Sequence, residues 1–215
     1  DYGWTGPYIV SEWGATGHWE VPKTSWGVPI EENSTIKAAN YLKRYQIAIE
    51  PDKKQCLGSY VFLWGQKQER TPTWYGVFLE NGNETEAVDV MHYLWSNIWP
   101  ENRAPQIESF HLDDKTAYQN VILKPNSQTT ATLKINDFDN DEIAYNWEVL
   151  KESTDLKDGG DREERPESIN IEITNNNNGV LQFKAPQTPG NYRLFAYASD
   201  GNNHAATANI PFKVN

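Results

Sequence analysis

The hydrophobic period of this chain changes at one place, and that change limits its possible folds more than any other feature. Before Pro100, apolar residues recur at helical spacing or in short continuous runs; from Ala104 onward they alternate with polar ones. The aromatic residues divide at the same point. Eight of the nine tryptophans precede Pro100, and Trp147 alone follows it. The joint is "WPENRAPQIES", in which Pro100 and Pro105 enclose polar residues. Two domains are therefore expected, 1–103 and 104–215.

In the first half, residues 7 to 11 read as a strand. In "NSTIKAANYLKRYQIAIEPD", Asn33 or Ser34 can cap a helix with Ile36, Ala39, Leu42, Tyr45 and Ile49 as its apolar positions, and Pro51 ends it. "CLGSYVFLWG" is a nearly continuous apolar run, as for a strand covered on both faces. The loop "QKQERTPTWYGVFLENG" follows. A second helix is expected in "NETEAVDVMHYLWSNIW", where Asn83 and Glu86 have capping-box spacing. Its stripe is Ala87, Val88, Met91, Leu94, Trp95 and Ile98, and Trp95 and Trp99 are expected in the core. Parallel strands need helices on both faces of a sheet or around a closed barrel. Two such units cannot bury a sheet alone, so this half is expected to belong to something larger.

Charge removes several functions. A formal net charge of -11 opposes nucleic acid and anionic membrane surfaces as partners. No apolar run reaches the ~18 residues of a membrane-spanning helix. The single cysteine, Cys56, excludes an internal disulfide and reads as a small buried hydrophobe. No His/Cys/Asp cluster has metal-ligand spacing and no glycine-rich phosphate loop appears. Neither metal nor cofactor is expected.

The order of motifs carries a family resemblance. "VSEWG", then "GSYVFLW", then "TWYGVFLENGNETEAVDVMHYLW" resembles the last quarter of a retaining glycoside hydrolase barrel. The clan is that of eight-fold β/α barrels such as β-galactosidases, β-glucuronidases, β-mannanases and yeast-type β-1,3-glucanosyltransferases. The resemblance spans roughly residues 5 to 99. It implies that Glu12, in the tetrad Ser11-Glu12-Trp13-Gly14, is the nucleophile ending a seventh strand, and that Trp64, ending an eighth, floors the sugar site. The implied fold is α/β plus all-β: the last two β-α units of an incomplete TIM-type barrel, joined to an antiparallel immunoglobulin-like β-sandwich.

Retaining glycoside hydrolysis needs two carboxyl groups about 5–5.5 Å apart, one attacking the anomeric carbon and one protonating the leaving oxygen. A strand end holds such a nucleophile rigidly. A Glu in that place can also form a salt bridge or cap a turn. The acid/base of the resembled clan lies on a strand absent here. Glu20, Glu31, Glu32 and Glu69 are local carboxylates outside the matching motif, Glu69 reading as a solvated loop charge before a cleft residue, so this chain alone is expected to be catalytically incomplete. Tryptophan faces suit the C–H faces of a pyranose. Trp64 leads these candidates, followed by Trp13, Trp19, Trp26 and Trp74; core packing is equally open to Trp13. His18 could hydrogen-bond a hydroxyl or simply be solvated.

In the second half "NVILKP", "TTATLKI", "EIAYNWEV", "SINIEI", "GVLQFKAP", "NYRLFAYAS" and "ATANIPFKV" are strand candidates, with another near "PQIESFHL". Trp147 takes the place of a buried sandwich tryptophan, Tyr192 that of a tyrosine corner, and Leu194 that of a cysteine. The segment resembles the immunoglobulin-like and polycystic-kidney-disease-type modules of bacterial surface and secreted enzymes. Asp137, Asp139 and Asp141 alternate, but Glu142 replaces the glycine of a calcium loop, so a plain acidic turn is read. "KESTDLKDGGDREERPES" reads as a mobile, solvated loop.

These readings converge on the C-terminal part of a retaining glycoside hydrolase or transglycosylase acting on β-linked poly- or oligosaccharide. Its expected partners are that saccharide and the remainder of the barrel, an N-terminal part missing here. The competing reading is a non-catalytic carbohydrate-binding or adhesion module in which Glu12 is structural. The resembled modules imply a periplasmic, cell-surface or secreted bacterial protein.

Overall fold

The computed structural model describes residues 3–157 and 160–215. Among these are ten strands and two α-helices, so the fold is mostly β. No barrel forms. Strand β1 (Tyr8–Gly14) pairs in parallel with β2 (Cys56–Phe62), and that two-stranded sheet ends there. The expected barrel units, and the family resemblance resting on them, are thereby corrected. A barrel needs a ring of strands, each covered by a helix; here two helices serve one small sheet. Nor is β2 covered on both faces, since Leu57 is 70% and Tyr60 66% exposed.

Helix α1 (Ser34–Arg44) begins where Asn33 accepts the Ile36 N–H at 2.9 Å, and continues into a π-helical turn over Tyr45–Ile49. Its buried face is Ser34, Lys37, Ala38 and Tyr41, not the stripe expected from Ile36 and Ala39. The expected face counted only apolar residues and so missed Lys37, which is buried against Glu31. Helix α2 (Glu86–Ser96) packs on α1 through Ala87, Val88, Val90 and Met91. Trp95, expected in the core, is 60% exposed. Trp99 lies beyond the helix end and stacks on Tyr93 at 4.4 Å. No helix among the described residues is long and apolar enough to cross a membrane.

The remaining strands form two four-stranded sheets. One has the order β4 (Val121–Leu123), β10 (Ala205–Val214), β9 (Gly190–Ser199), β6 (Ala144–Lys151). The other has the order β3 (Gln106–Leu112), β5 (Gln128–Asn136), β8 (Val180–Lys184), β7 (Ile173–Asn177). Period-two alternation turns Leu133, Leu181, Phe183, Val149, Leu194, Ile210 and Phe212 into one core between them. The arrangement is not purely antiparallel, because β4 runs parallel to β10. Trp147 is buried, its indole N–H donating to Asn176 at 3.0 Å. Tyr192 donates to the Thr188 carbonyl at 2.8 Å.

Helix α1 is fastened to both sheets by its first turn. Ser34 accepts the Thr207 N–H at 2.9 Å and Thr35 accepts the Ile107 N–H at 2.8 Å. The segment expected to be a solvated loop is anchored too where it is described, residues 158 and 159 lying outside the described ones: Glu163, 2% exposed, accepts the Arg70 N–H at 2.6 Å. Its carboxylate is what a composition count misreads, because a buried acceptor looks like a solvated charge in sequence.

Candidate functional site

β1 ends at Gly14, and the chain then makes a short loop to Glu20 that forms one bank of an open cleft of about 870 Å³. Loop geometry is set from beneath. Arg44 donates to the Gly14 carbonyl and, at 2.9 Å, to the Thr16 hydroxyl. Trp74, 1% exposed, donates its indole N–H to the Thr16 carbonyl at 2.9 Å. Tyr75 accepts the His18 N–H at 3.2 Å, and Glu20 accepts the Gly17 N–H at 2.9 Å. These bonds satisfy the loop's polar backbone and leave its side chains facing the cleft.

Glu12, Trp13, His18, Trp19 and Glu20 line this bank; Phe62, Lys67, Glu69, Tyr75, Lys157 and Gly160 line the other. Glu12 is exposed, and among the described residues its carboxylate has no hydrogen bond or ion pair. Trp13 is half-buried, tilted against Tyr41 at 5.6 Å and Tyr45 at 5.8 Å. Trp19 is 68% exposed and meets His18 edge to face at 4.9 Å. Glu69 is held by Lys67 at 2.7 Å, and Lys67 also donates to the Gly160 carbonyl at 2.8 Å.

Burial pushes the His18 imidazole below its ordinary range, with Arg70 adding to the effect and Glu69 opposing it. His18 is therefore neutral at pH 7, one ring nitrogen a donor and the other an acceptor. Burial pushes the Tyr75 phenol up to about 12, so it keeps its proton. The cleft offers flat aromatic area, neutral donor–acceptor groups, three carboxylates and two lysines, one of them paired with Glu69. That combination suits a neutral polyhydroxylated ligand.

Of the residues singled out in the sequence, Glu12, Trp13, His18, Trp19, Glu20 and Glu69 meet at this cleft. Trp64 does not line it: its ring packs edge-on to Phe78 at 5.3 Å and tilts onto Trp95 at 5.4 Å. In an unclosed sheet the end of β2 has no barrel axis to point toward, so the expected sugar floor is missing. Trp74 supports the loop from behind, and Trp26 is half-buried away from the cleft. Phe62, Tyr75, Lys67 and Lys157 were not expected there. Tyr75 follows Trp74 in a stretch read as a polar loop, and that aromatic pair was the available signal.

No family model matches the chain, and no curated protein matches it. Among solved structures, a nucleoside hydrolase-related protein of Saccharophagus degradans that is associated with carbohydrate metabolism is similar, at 16% identity and a TM-score of 0.35. The match covers 53% of this chain and 26% of that one. The methionine-rich copper resistance protein PcoC of Escherichia coli is similar at 13% identity and a TM-score of 0.32, over 52% of this chain and 99% of that one. The chain thus spans about a quarter of the first of these proteins. Likenesses this slight assign neither fold nor activity.

Proposed function

We propose that the cleft beside Glu12 binds a β-linked oligo- or polysaccharide. The observation that carries this reading is that Trp19, 68% exposed, shares one open cleft with Glu12, Glu20 and the neutral His18. An indole left in water next to hydrogen-bonding groups is what a pyranose needs, one face for its C–H groups and acceptors for its hydroxyls. A saccharide polymer is met outside the cytoplasm, so a periplasmic, cell-surface or secreted setting belongs to the same proposal.

The test is calorimetric titration with β-linked gluco-, manno- and galacto-oligomers. Trp19→Ala is expected to weaken binding by about tenfold, the equivalent of ~1.4 kcal/mol, with little change in stability. If the unaltered chain binds none of these oligomers, the reading is discarded.

A second reading, glycoside cleavage with Glu12 as nucleophile, is favoured by one further observation. Glu12 stands unpaired among the described residues, in a cleft that also holds the carboxylates of Glu20 and Glu69. Retaining cleavage would proceed by attack of the Glu12 carboxylate on the anomeric carbon, with the aglycone oxygen leaving as it takes a proton from a second carboxyl group. An activated 2-fluoro-glycoside should then add one glycosyl mass at Glu12, and Glu12→Gln should abolish the adduct while leaving oligomer binding in place. Binding without any adduct leaves the non-catalytic reading standing.

A further inference from the structure

The cleft beside Glu12 does not end at its own wall. Lys67 and Gly160, which line it, also line a neighbouring hollow of about 460 Å³ together with Gln66, Glu80, Arg162 and Arg165. Glu80 and Arg165 in turn line a third hollow, of about 510 Å³, on the outer face of the sheet that carries β6 and β9. The three hollows thus lie side by side, each sharing wall residues with the next, and this row of hollows is the trough. Each is by itself of the size that holds a small ligand, roughly 300–1,000 Å³.

The far end is built from neutral hydrogen-bonding groups. Asn146 on β6 stands opposite Tyr197 on β9, and Ala144 opposite Ser199. Ala144 and Ala205 are small, which leaves room above the sheet, and Asn81 and Asn83 form the facing bank. Tyr197 is stacked on Phe195, centroids 6.3 Å apart. The charges in this hollow are mutually paired: Arg165 lies 2.7 Å from Glu148 and 3.5 Å from Glu80. An ionic ligand would have to break these pairs, whereas hydroxyl groups can use the Asn146 amide and the Tyr197 phenol as they stand.

The middle of the trough is also fixed in place. Lys67 donates to the Gly160 carbonyl at 2.8 Å, and the buried Glu163 accepts the N–H groups of Arg70 at 2.6 Å and Lys157 at 3.1 Å. A channel whose banks are already tied together loses little freedom when a chain enters it.

We infer that the trough is an extended binding track for a neutral β-linked saccharide chain, with the Asn146–Tyr197 hollow as a remote subsite on the sandwich. This rests on the saccharide reading of the Glu12 cleft and adds to it that the ligand is a polymer and that both halves of the chain hold it.

The experiment is calorimetric titration with β-linked gluco-, manno- and galacto-oligomers of two and of eight units. The octamer is expected to bind at least about tenfold more tightly than the dimer. Asn146→Ala, which removes an exposed side chain, should erase most of that advantage and leave dimer affinity unchanged. Asn146→Trp, which fills the far hollow, should do so more completely. Equal affinity for dimer and octamer, or octamer binding indifferent to Asn146→Trp, overturns the track while the reading of the Glu12 cleft survives. Absence of binding by every oligomer overturns both.

Discussion

Asn209, on the last strand, donates its side-chain amide to Glu31 at 2.6 Å, joining residues 178 positions apart. The same carboxylate accepts Lys37 at 2.5 Å, Thr71 at 2.6 Å and Thr73 at 2.9 Å. Arg193 extends the network, donating to Asn209 at 2.7 Å, to the Pro29 carbonyl at 2.9 Å and to Glu152 at 2.8 Å. The seam between the two halves is thus a buried polar network rather than an apolar patch. Burial works to raise the Glu31 carboxyl, but the charge and hydrogen bond of Lys37 outweigh it and hold the group below its ordinary range.

Such a network is costly to break from one side. Lys37→Met should destabilise the chain by about 3–5 kcal/mol, because it leaves a buried carboxylate without its cation. Glu31→Gln should cost a similar amount. The double variant should lose clearly less than the two single losses together, since neither charge is then stranded. Urea unfolding of all four proteins at pH 7 measures this coupling. Strictly additive losses would mean that the pair does not act as a unit.

Glu86 behaves in the opposite sense. It lies in the first turn of α2, accepting the Gln106 amide, with Arg103 at 3.5 Å and Asp89 in the same turn. Its second oxygen is buried without a partner among the described residues. Burial pushes its carboxyl up to about 7, against the hydrogen bond from Gln106 and the charge of Arg103. A carboxyl raised on folding contributes stability that is complete below its unfolded value and lost as pH rises through its folded one. Stability from this group should therefore fall as pH rises from about 4.5 through about 7, by roughly 3 kcal/mol in all. Glu86→Gln should remove that slope and gain on the unaltered chain at pH 8. Parallel pH profiles for the two proteins between pH 5 and pH 8 would refute the assignment. Neighbouring Asp89, also raised by burial, repels Glu86 when both are charged, so the difference between the two profiles reports Glu86 together with its effect on Asp89.

What the sequence discloses and what it conceals divide along the same physical line. Local patterns are legible: the cap at Asn33, the helices around Ala38 and Met91, and the alternation that buries Trp147 and Val149. Glu12 and Trp19 do line one cleft, although the barrel resemblance that implied it does not hold. Closure is not local, however. Nothing within "GSYVFLW" states whether β2 continues into a barrel or stops beside one partner, and the role expected of Trp64 depended on that. Buried charge is the second blind spot. Glu31 and Glu163 look solvated in sequence because partners such as Asn209 and Arg70 lie far along the chain, and Lys37 is buried with Glu31. For Tyr75 of the far bank the sequence offers only the adjoining Trp74 as a signal, because its place depends on how the loop that it supports folds.

The two-stranded sheet offers a sharp contrast between two of its glycines. Gly14 faces Phe62 in the parallel ladder, and a Cβ placed there would stand 2.0 Å from the Phe62 carbonyl oxygen and 3.0 Å from the Tyr41 hydroxyl. Neither atom can withdraw easily, because Tyr41 donates to that same carbonyl at 3.0 Å and Arg44 grips the Gly14 carbonyl. Gly58, on β2, has open space where a Cβ would go. Gly14→Ala should therefore force β1 off β2 and cost at least the ~1–3 kcal/mol usual for overpacking. Gly58→Ala should be neutral or stabilise by up to ~1 kcal/mol through the unfolded chain. Because Glu12 and Trp13 precede Gly14 and the loop bearing Trp19 follows it, Gly14→Ala should also lose saccharide affinity, while Gly58→Ala keeps it. Urea midpoints and oligomer titration on the two variants measure both effects. Equal stability of the two would show that the close approach of β1 to β2 at Gly14 is not what fixes the cleft.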